Sequence, residues 1–348
     1  MVKSATFAVP GDLATPTGGY VYDRRIVAEL AALAWHIEVL DLGDDFPHAA
    51  AGTRAAAAAR LAALPRGRPI VIDGLAFGAL PEAAEALHGS HSVVALVHHP
   101  LALEAGLSAA DAARLHASER AALAAARHVV TTSTATARLL AADYEVPSER
   151  LSVVEPGTDR VVLRPRRHDG AVVLLAVGSV IPRKGYDVLV AALARLRHLS
   201  WRLVIAGDCG RSPETFRRLE ADIANLGLAD RVTLLGAVAA DELTSLYATS
   251  DLFVLPSRFE GYGMAYAEAL AHGLPVIGTT AGAVPQTVPG DAGVLLPPDD
   301  VDALAATLQQ LVESPDERER LAAGARATAF PSWREQGARF ARVLDRLA

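Results

Sequence analysis

Cysteine is almost missing from this 348-residue chain: Cys209 stands alone, which excludes an intrachain disulfide and any multi-cysteine metal site. A reducing, intracellular setting fits that usage best. Aromatic residues are scarce, at 5%, so the cores must be built from Ala, Leu and Val on closely packed helices and strands. There is no basic excess and no basic stretch; the formal net charge is −7, which argues against nucleic acid as a partner. A diphosphate remains compatible, because it needs only a few local cations and some aimed backbone amides. Long apolar runs are also lacking. The charge-free stretch Ala269 to Gly290 is broken by Pro275, Pro285 and Pro289 and by several glycines, so it is not a membrane span. Met1 to Pro10 is too short, and too quickly followed by Gly11-Asp12, for a secretory signal. A cytoplasmic location is therefore expected, with peripheral membrane contact through an amphipathic face left open.

Motifs of other chemistries are absent as well. The loop Gly11 to Gly19 does not supply the G-x-G-x-x-G of a nicotinamide dehydrogenase. Neither a Walker A motif nor a G-x-S-x-G elbow with a triad is present.

What is there is alternation. The length exceeds one hydrophobic core and predicts two domains. Short apolar runs at 6–9, 37–40, 70–72, 93–97, 128–131 and 151–154 alternate with helical patterns at 21–35, 50–64, 109–126 and 134–144. The pattern restarts with strands at 172–177, 201–206, 231–235, 252–255 and 275–277, separated by helices at 187–197, 212–225, 240–248, 264–271 and 301–314. Such alternation reads as parallel βαβ units. The polar segment Arg164 to Gly170 is the expected linker, giving domains 1–164 and 165–330. Residues 331–348, opening with Pro331-Ser332-Trp333, form an added amphipathic helix. The fold class is α/β: two doubly wound, Rossmann-like domains whose ligands bind beyond the carboxyl ends of the strands, in a cleft between facing strand ends.

The strongest chemical signal is Ser257-Arg258-Phe259-Glu260-Gly261-Tyr262-Gly263-Met264-Ala265-Tyr266-Ala267-Glu268. A strand ends at a proline and opens into a glycine-bracketed loop, and a helix starts near Gly263 or Met264. Unpaired amides and the positive end of the helix dipole suit a phosphate there. Glu260 borders that pocket, and Glu268, further along the helix, can accept two hydrogen bonds from a vicinal diol such as a ribose. Taken singly, Glu260 also reads as a capping acid and Glu268 as a solvent-facing one.

Together with the downstream Gly273-Leu274-Pro275-Val276-Ile277, this stretch resembles the E-x7-E motif of retaining GT-B glycosyltransferases, family 4 (glycosyl transferases group 1). The resemblance extends over nearly the whole chain. Thr17-Gly18-Gly19-Tyr20 looks like the family's Gly-Gly loop near the donor diphosphate, where glycine allows close backbone approach. Val177-Gly178-Ser179-Val180-Ile181-Pro182-Arg183-Lys184-Gly185 looks like the family's phosphate loop. There Lys184 would pair with donor phosphate oxygens; Ser179 stands where many relatives carry Arg, and Arg183 is the candidate replacement. His98, which follows the strand 93–97, matches a family histidine that hydrogen-bonds the reacting sugar, and His99 reads as loop packing. Adjacent histidines could suggest metal, but no carboxylate partner with ligand spacing lies nearby in the sequence. Gly207 closes a strand on the phosphate side, and Leu235-Gly236-Ala237-Val238 resembles the loop that reads the nucleobase. Ser133, Pro156 to Asp159 and Thr280 to Gln286 match further family segments, with Gln286 replacing the usual acid.

The resemblance implies GT-B architecture with the last helix crossing back to the first domain. It implies transfer of a hexose-type sugar from a UDP- or GDP-sugar to a hydroxyl acceptor, with retention and without cofactor or metal. The candidate catalytic residues are His98, Glu260 and Lys184. The candidate donor-binding residues are Gly18, Gly19, Arg183, Lys184, Gly207, Val238, Gly263, Met264 and Glu268. The acceptor is a saccharide, a lipid-linked or a small molecule. Two alternatives on the same fold are a nucleotide-sugar epimerase and a non-catalytic partner protein.

Overall fold

The computed structural model describes residues 3–161 and 170–347. Contacts divide the chain into two units: Met1–Gly157 with Pro331–Ala348, and Thr158–Phe330. The boundary expected at Arg164/Pro165, with most of the expected linker, lies outside the described residues. The contact boundary falls earlier because Gly157 lies so close to the Trp333 backbone that a Cβ would not fit, which keeps Pro156-Gly157 with the first unit.

In the first unit, chain order is β1 (Ser4–Val9), α1 (Gly18–Ala32), β2 (His36–Asp41), α2 (Ala51–Ala62), β3 (Pro69–Asp73), α3 (Gly74–Phe77) and α4 (Pro81–Leu87). There follow β4 (Ser92–Val97), α5 (Ala109–Ala125), β5 (His128–Thr131), α6 (Thr134–Asp143) and β6 (Leu151–Val153). The six strands form one parallel sheet in the order β2-β1-β3-β4-β5-β6. Central β3 and β4 are buried nearly throughout, which explains why they read as continuous apolar runs rather than as alternation.

The second unit holds β7 (Val172–Val177), α7 (Tyr186–Ala194), β8 (Trp201–Ala206), α8 (Pro213–Asn225), β9 (Val232–Gly236), α9 (Ala240–Thr249) and β10 (Leu252–Val254). It continues with α10 (Met264–Ala271), β11 (Val276–Thr279), α11 (Val284–Thr287), β12 (Gly293–Leu296), α12 (Val301–Glu313) and α13 (Pro315–Ala327). Its sheet is also parallel, in the order β12-β11-β10-β7-β8-β9.

The last helix, α14 (Trp333–Asp345), starts on a capping box between Ser332 and Glu335 and belongs to the first unit. It buries Trp333, Phe340, Val343 and Leu344. Phe340 lies 6.3 Å from the Phe7 ring of β1, and Gly337 lets the helix sit directly on Glu29 of α1.

The structure corrects some sequence expectations. α1 begins at Gly18, because the Thr17 side chain accepts from the Tyr20 amide and caps it. It stops at Ala32, ahead of Ala34 with φ of 63°, and not at Trp35. Gly18-Gly19 is therefore the first turn of a helix rather than a loop. Unexpected elements are α3, α4, α11, β12 and α13. Four of them are short, and α13 carries so many charges that its apolar stripe, Leu321, Ala322 and Ala325, hardly stands out.

The strand orders position the site. In each sheet the chain reverses its direction of growth once, between β1 and β3 in the first and between β7 and β10 in the second. Ligands of open α/β sheets sit outside the carboxyl ends of the strands at such points.

Candidate functional site

At the β7/β10 reversal of the second unit, the loop after β7 meets the loop after β10. Glu260 is 6% exposed. Its Oε1 lies 2.6 Å from Lys184 Nζ and accepts from Ser257 Oγ at 2.7 Å. Its Oε2 lies 3.2 Å from Arg183 Nη1, which also donates to Phe259 O at 2.8 Å. Burial by itself would raise the Glu260 carboxyl, but Lys184 and Arg183 outweigh it and hold the group at about 2. With Glu260 ionised, the cluster carries one net positive charge.

Glycines make this arrangement fit. Gly178 has no Cβ where one would lie 2.9 Å from Lys184 Cε, so the lysine can pass across the loop. Gly185, with φ of 68°, turns the chain against Pro256 O. The Arg258 amide donates to Arg183 O at 2.7 Å and ties the two loops together. From the far side the Ala283 amide donates to Glu260 O at 2.9 Å.

Glu268 lies on α10 with a different partner: Tyr247 OH donates to its Oε2 at 2.9 Å. The Tyr247 ring stacks on His272 at 4.9 Å. Burial pushes the Glu268 carboxyl up to about 7, against the lowering effect of the Tyr247 hydrogen bond. Gly263, with φ of 92°, caps α10, and Met264 is its first residue. Gly207 follows β8, and its amide donates to Gly236 O at 2.8 Å. A Cβ at Gly207 would lie 2.9 Å from the Ser179 amide nitrogen and run into Gly178 O. Val238 is half-buried in the loop between β9 and α9.

In the first unit, His98 follows β4 near the β1/β3 reversal. Its Nε2 lies 3.0 Å from Asp23 Oδ1 and 3.5 Å from Asp73 Oδ2. The carboxylate partners that sequence spacing did not reveal thus come from α1 and from the end of β3. These three residues offer donor atoms within 4.8 Å of one another, the one group among the described residues able to hold a metal ion. The Tyr22 ring meets His98 edge-on at 5.3 Å. A Cβ at Gly19 would lie 3.3 Å from His98 Cδ2, so Gly19 makes room for the imidazole. Gly18 begins α1 and is not part of that contact. His99 Nε2 lies 3.3 Å from Glu104.

The structure therefore brings Arg183, Lys184 and Glu260 together, sets Glu268 on Tyr247, and sets His98 beside Gly19. Sequence reasoning missed Asp23, Asp73, Tyr247 and a role for Ser257. Asp73 carried a usable signal as an acid at the carboxyl end of a buried strand. Tyr247 carried none, since nothing in its helix marks it as a partner of Glu268.

The family described as Glycosyl transferases group 1 matches residues 164–328. An MMP alpha-(1->4)-mannosyltransferase of Mycolicibacterium hassiacum is 32% identical over 226 residues, covering 63% of this chain and 54% of that protein. A D-inositol 3-phosphate glycosyltransferase of Thermobispora bispora is 36% identical over 237 residues, covering 63% of this chain and 55% of that protein. The chain spans about half the length of the curated relatives it matches. Among solved structures, sucrose-phosphate synthase from Thermosynechococcus elongatus superposes with a TM-score of 0.82 at 22% identity, covering 99% of both chains. Anabaena HepE in complex with UDP and glucose gives 0.78 at 20% identity, covering 99% of this chain and 100% of that one. These likenesses show the two-domain α/β fold of the GT-B class.

Proposed function

We propose that this chain, whose residues 164–328 match the family described as Glycosyl transferases group 1, moves a hexose-type sugar from a UDP- or GDP-sugar to a hydroxyl acceptor, with retention and without a metal. The observation that carries this reading is the cluster of Lys184 and Arg183 around Glu260 at the strand-order reversal. The two cations receive the donor diphosphate beside the amides at the start of α10, and Arg183 supplies the charge that Ser179 lacks. Glu268 accepts from the ribose hydroxyls, Glu260 positions the sugar, and His98 hydrogen-bonds it. The acceptor oxygen bonds to the anomeric carbon on the face from which the phosphate departs, and the hydroxyl proton passes to the departing phosphate oxygen. Cations and amides already in place stabilise the charge that develops there.

Named relatives that act on mannose donors and on phosphatidylinositol or inositol phosphate support a saccharide, lipid-linked or small polyol acceptor. No helix among the described residues is long and apolar enough to cross a membrane, which is compatible with a cytoplasmic site of action.

The test is a panel of nucleotide-sugars with purified protein, read as nucleoside diphosphate released in the presence of candidate acceptors. Release with one donor, and thermal stabilisation by its nucleotide, is the expected result. Donor conversion without release would mark an epimerase. No stabilisation by UDP, GDP or ADP would overturn the assignment.

Glu268 adds a pH signature. Its carboxyl is raised from 4.5 to about 7 by burial, so its effect on folding favours low pH and is lost as pH rises through 7. Ligand binding runs the other way, because only the ionised form accepts both ribose hydroxyls. Affinity for an intact nucleotide-sugar, whose diphosphate does not titrate in this range, is expected to fall about tenfold per unit below pH 7. Calorimetric titration from pH 5.5 to 8.5 checks this, and Glu268→Gln should flatten the profile.

A further inference from the structure

The His98 cluster asks for more than a sugar contact, because two carboxylates converge on one ring nitrogen. Asp23 is fully buried on α1, and its Oδ2 is buried without a hydrogen-bond partner. Leaving a carboxylate half-satisfied in the interior costs stability, so its place beside His98 calls for a function. Asp73 divides its oxygens: Oδ1 accepts from the Leu75 amide at 2.8 Å and caps α3, and Oδ2 lies 3.5 Å from His98 Nε2.

Resting on the reading of His98 as a contact to the transferred sugar, we propose that Asp23 and Asp73 are positioning residues that hold His98 Nε2–H turned into the protein, so that Nδ1–H is offered to the ligand as a fixed hydrogen-bond donor. Tyr22 closes one side of the ring, and Gly19 leaves the space in which its Cδ2 edge lies. The titratable groups facing the imidazole are Asp23, Asp73 and Tyr22. Burial alone would lower the imidazole; the two carboxylates reverse that and raise it to about 10, while burial pushes Asp23 up. The cluster thus keeps its proton through neutral pH. His98 serves as a donor and a positive charge rather than as a general base. A divalent ion is the competing occupant of the same three atoms.

The experiment uses the full chain. Nitrogen-15 NMR of the imidazoles, with His98 assigned by its loss in His98→Gln, is followed from pH 5 to 10. Both His98 nitrogens should stay protonated up to about pH 9 in the parent protein. In Asp23→Asn the ring should titrate near its ordinary value of 6.5. Turnover in that variant should fall about 10- to 100-fold, the effect of weakening one charge-assisted hydrogen bond in the transition state. Donor KM should hardly change, and a new loss of activity should appear above pH 7. Asp73→Asn, which can still cap α3 through its side-chain oxygen, gives the same directions with smaller size and covers a failure of Asp23→Asn to fold. An unchanged His98 titration in both variants would overturn the proposal. So would a divalent ion that binds the parent, shifts the His98 signal and is lost in Asp23→Asn. Because the NMR result needs no turnover, it stands even if no donor supports transfer, and failure of the transferase reading is told apart from failure of this one.

Discussion

Lys184→Ala is expected to lower sugar transfer by about two to three orders of magnitude, the usual cost of removing one preorganised donor from a site where charge develops. The reason lies in its position. Lys184 Nζ stands 2.6 Å from Glu260 at the strand-order reversal, on a loop whose glycines leave room for its side chain. No other lysine occurs between Lys3 and the end of the chain, so no neighbouring lysine can take its place. Glu260 keeps Arg183 and Ser257 in the variant, and the fold should survive the loss. Lys184→Arg should recover only part of the activity, because a forked guanidinium does not reproduce a point charge at the same atoms. Steady-state transfer at saturating donor, beside a melting curve, checks both. Near-normal turnover in folded Lys184→Ala would remove the phosphate role from this lysine.

The parts of the fold that sequence made legible share one physical cause. Buried parallel strands such as Ile70-Val71-Ile72 and Val93 to Val97 are continuous apolar runs, and helices such as α8 and α12 carry a clean stripe. Where that contrast is weak the pattern fails: β12 is four residues long and begins with glycine, and α13 is dominated by Arg and Glu. The site divides in the same way. Glu260 and Glu268 stand in one segment with its glycines, so local spacing marks them. The partners that set their chemistry lie far off in sequence: Lys184 is 76 residues from Glu260, and Tyr247 is 21 from Glu268. Asp23 is 75 residues from His98. A motif marks a residue type at a place, whereas ionisation depends on whatever the topology folds against it, and that is why burial and charge state stayed hidden.

That dependence gives Glu260 a role that separates binding from turnover. In Glu260→Gln the shape and the Ser257 hydrogen bond can persist while the negative charge is lost. Lys184 and Arg183 then face the diphosphate with no internal counter-charge. Affinity for the free nucleoside diphosphate is expected to rise about 10- to 100-fold, in keeping with the worth of a hydrogen bond to a charged group in a partly buried site. Transfer should fall by about 100-fold or more, because the sugar loses its positioning carboxylate and the product leaves more slowly. Calorimetry with UDP and GDP beside steady-state transfer reads both effects, and single-turnover rates separate slow release from slow chemistry. The parent has a matching acid limb. Glu260 is held at about 2 against an ordinary 4.5, so its ion pairs stabilise the fold above pH 4.5, and that contribution is lost as pH falls through 2. The Gln variant should lack this limb. If nucleotide affinity drops instead, Glu260 holds the two cations in the geometry a diphosphate needs and does not compete with it for them.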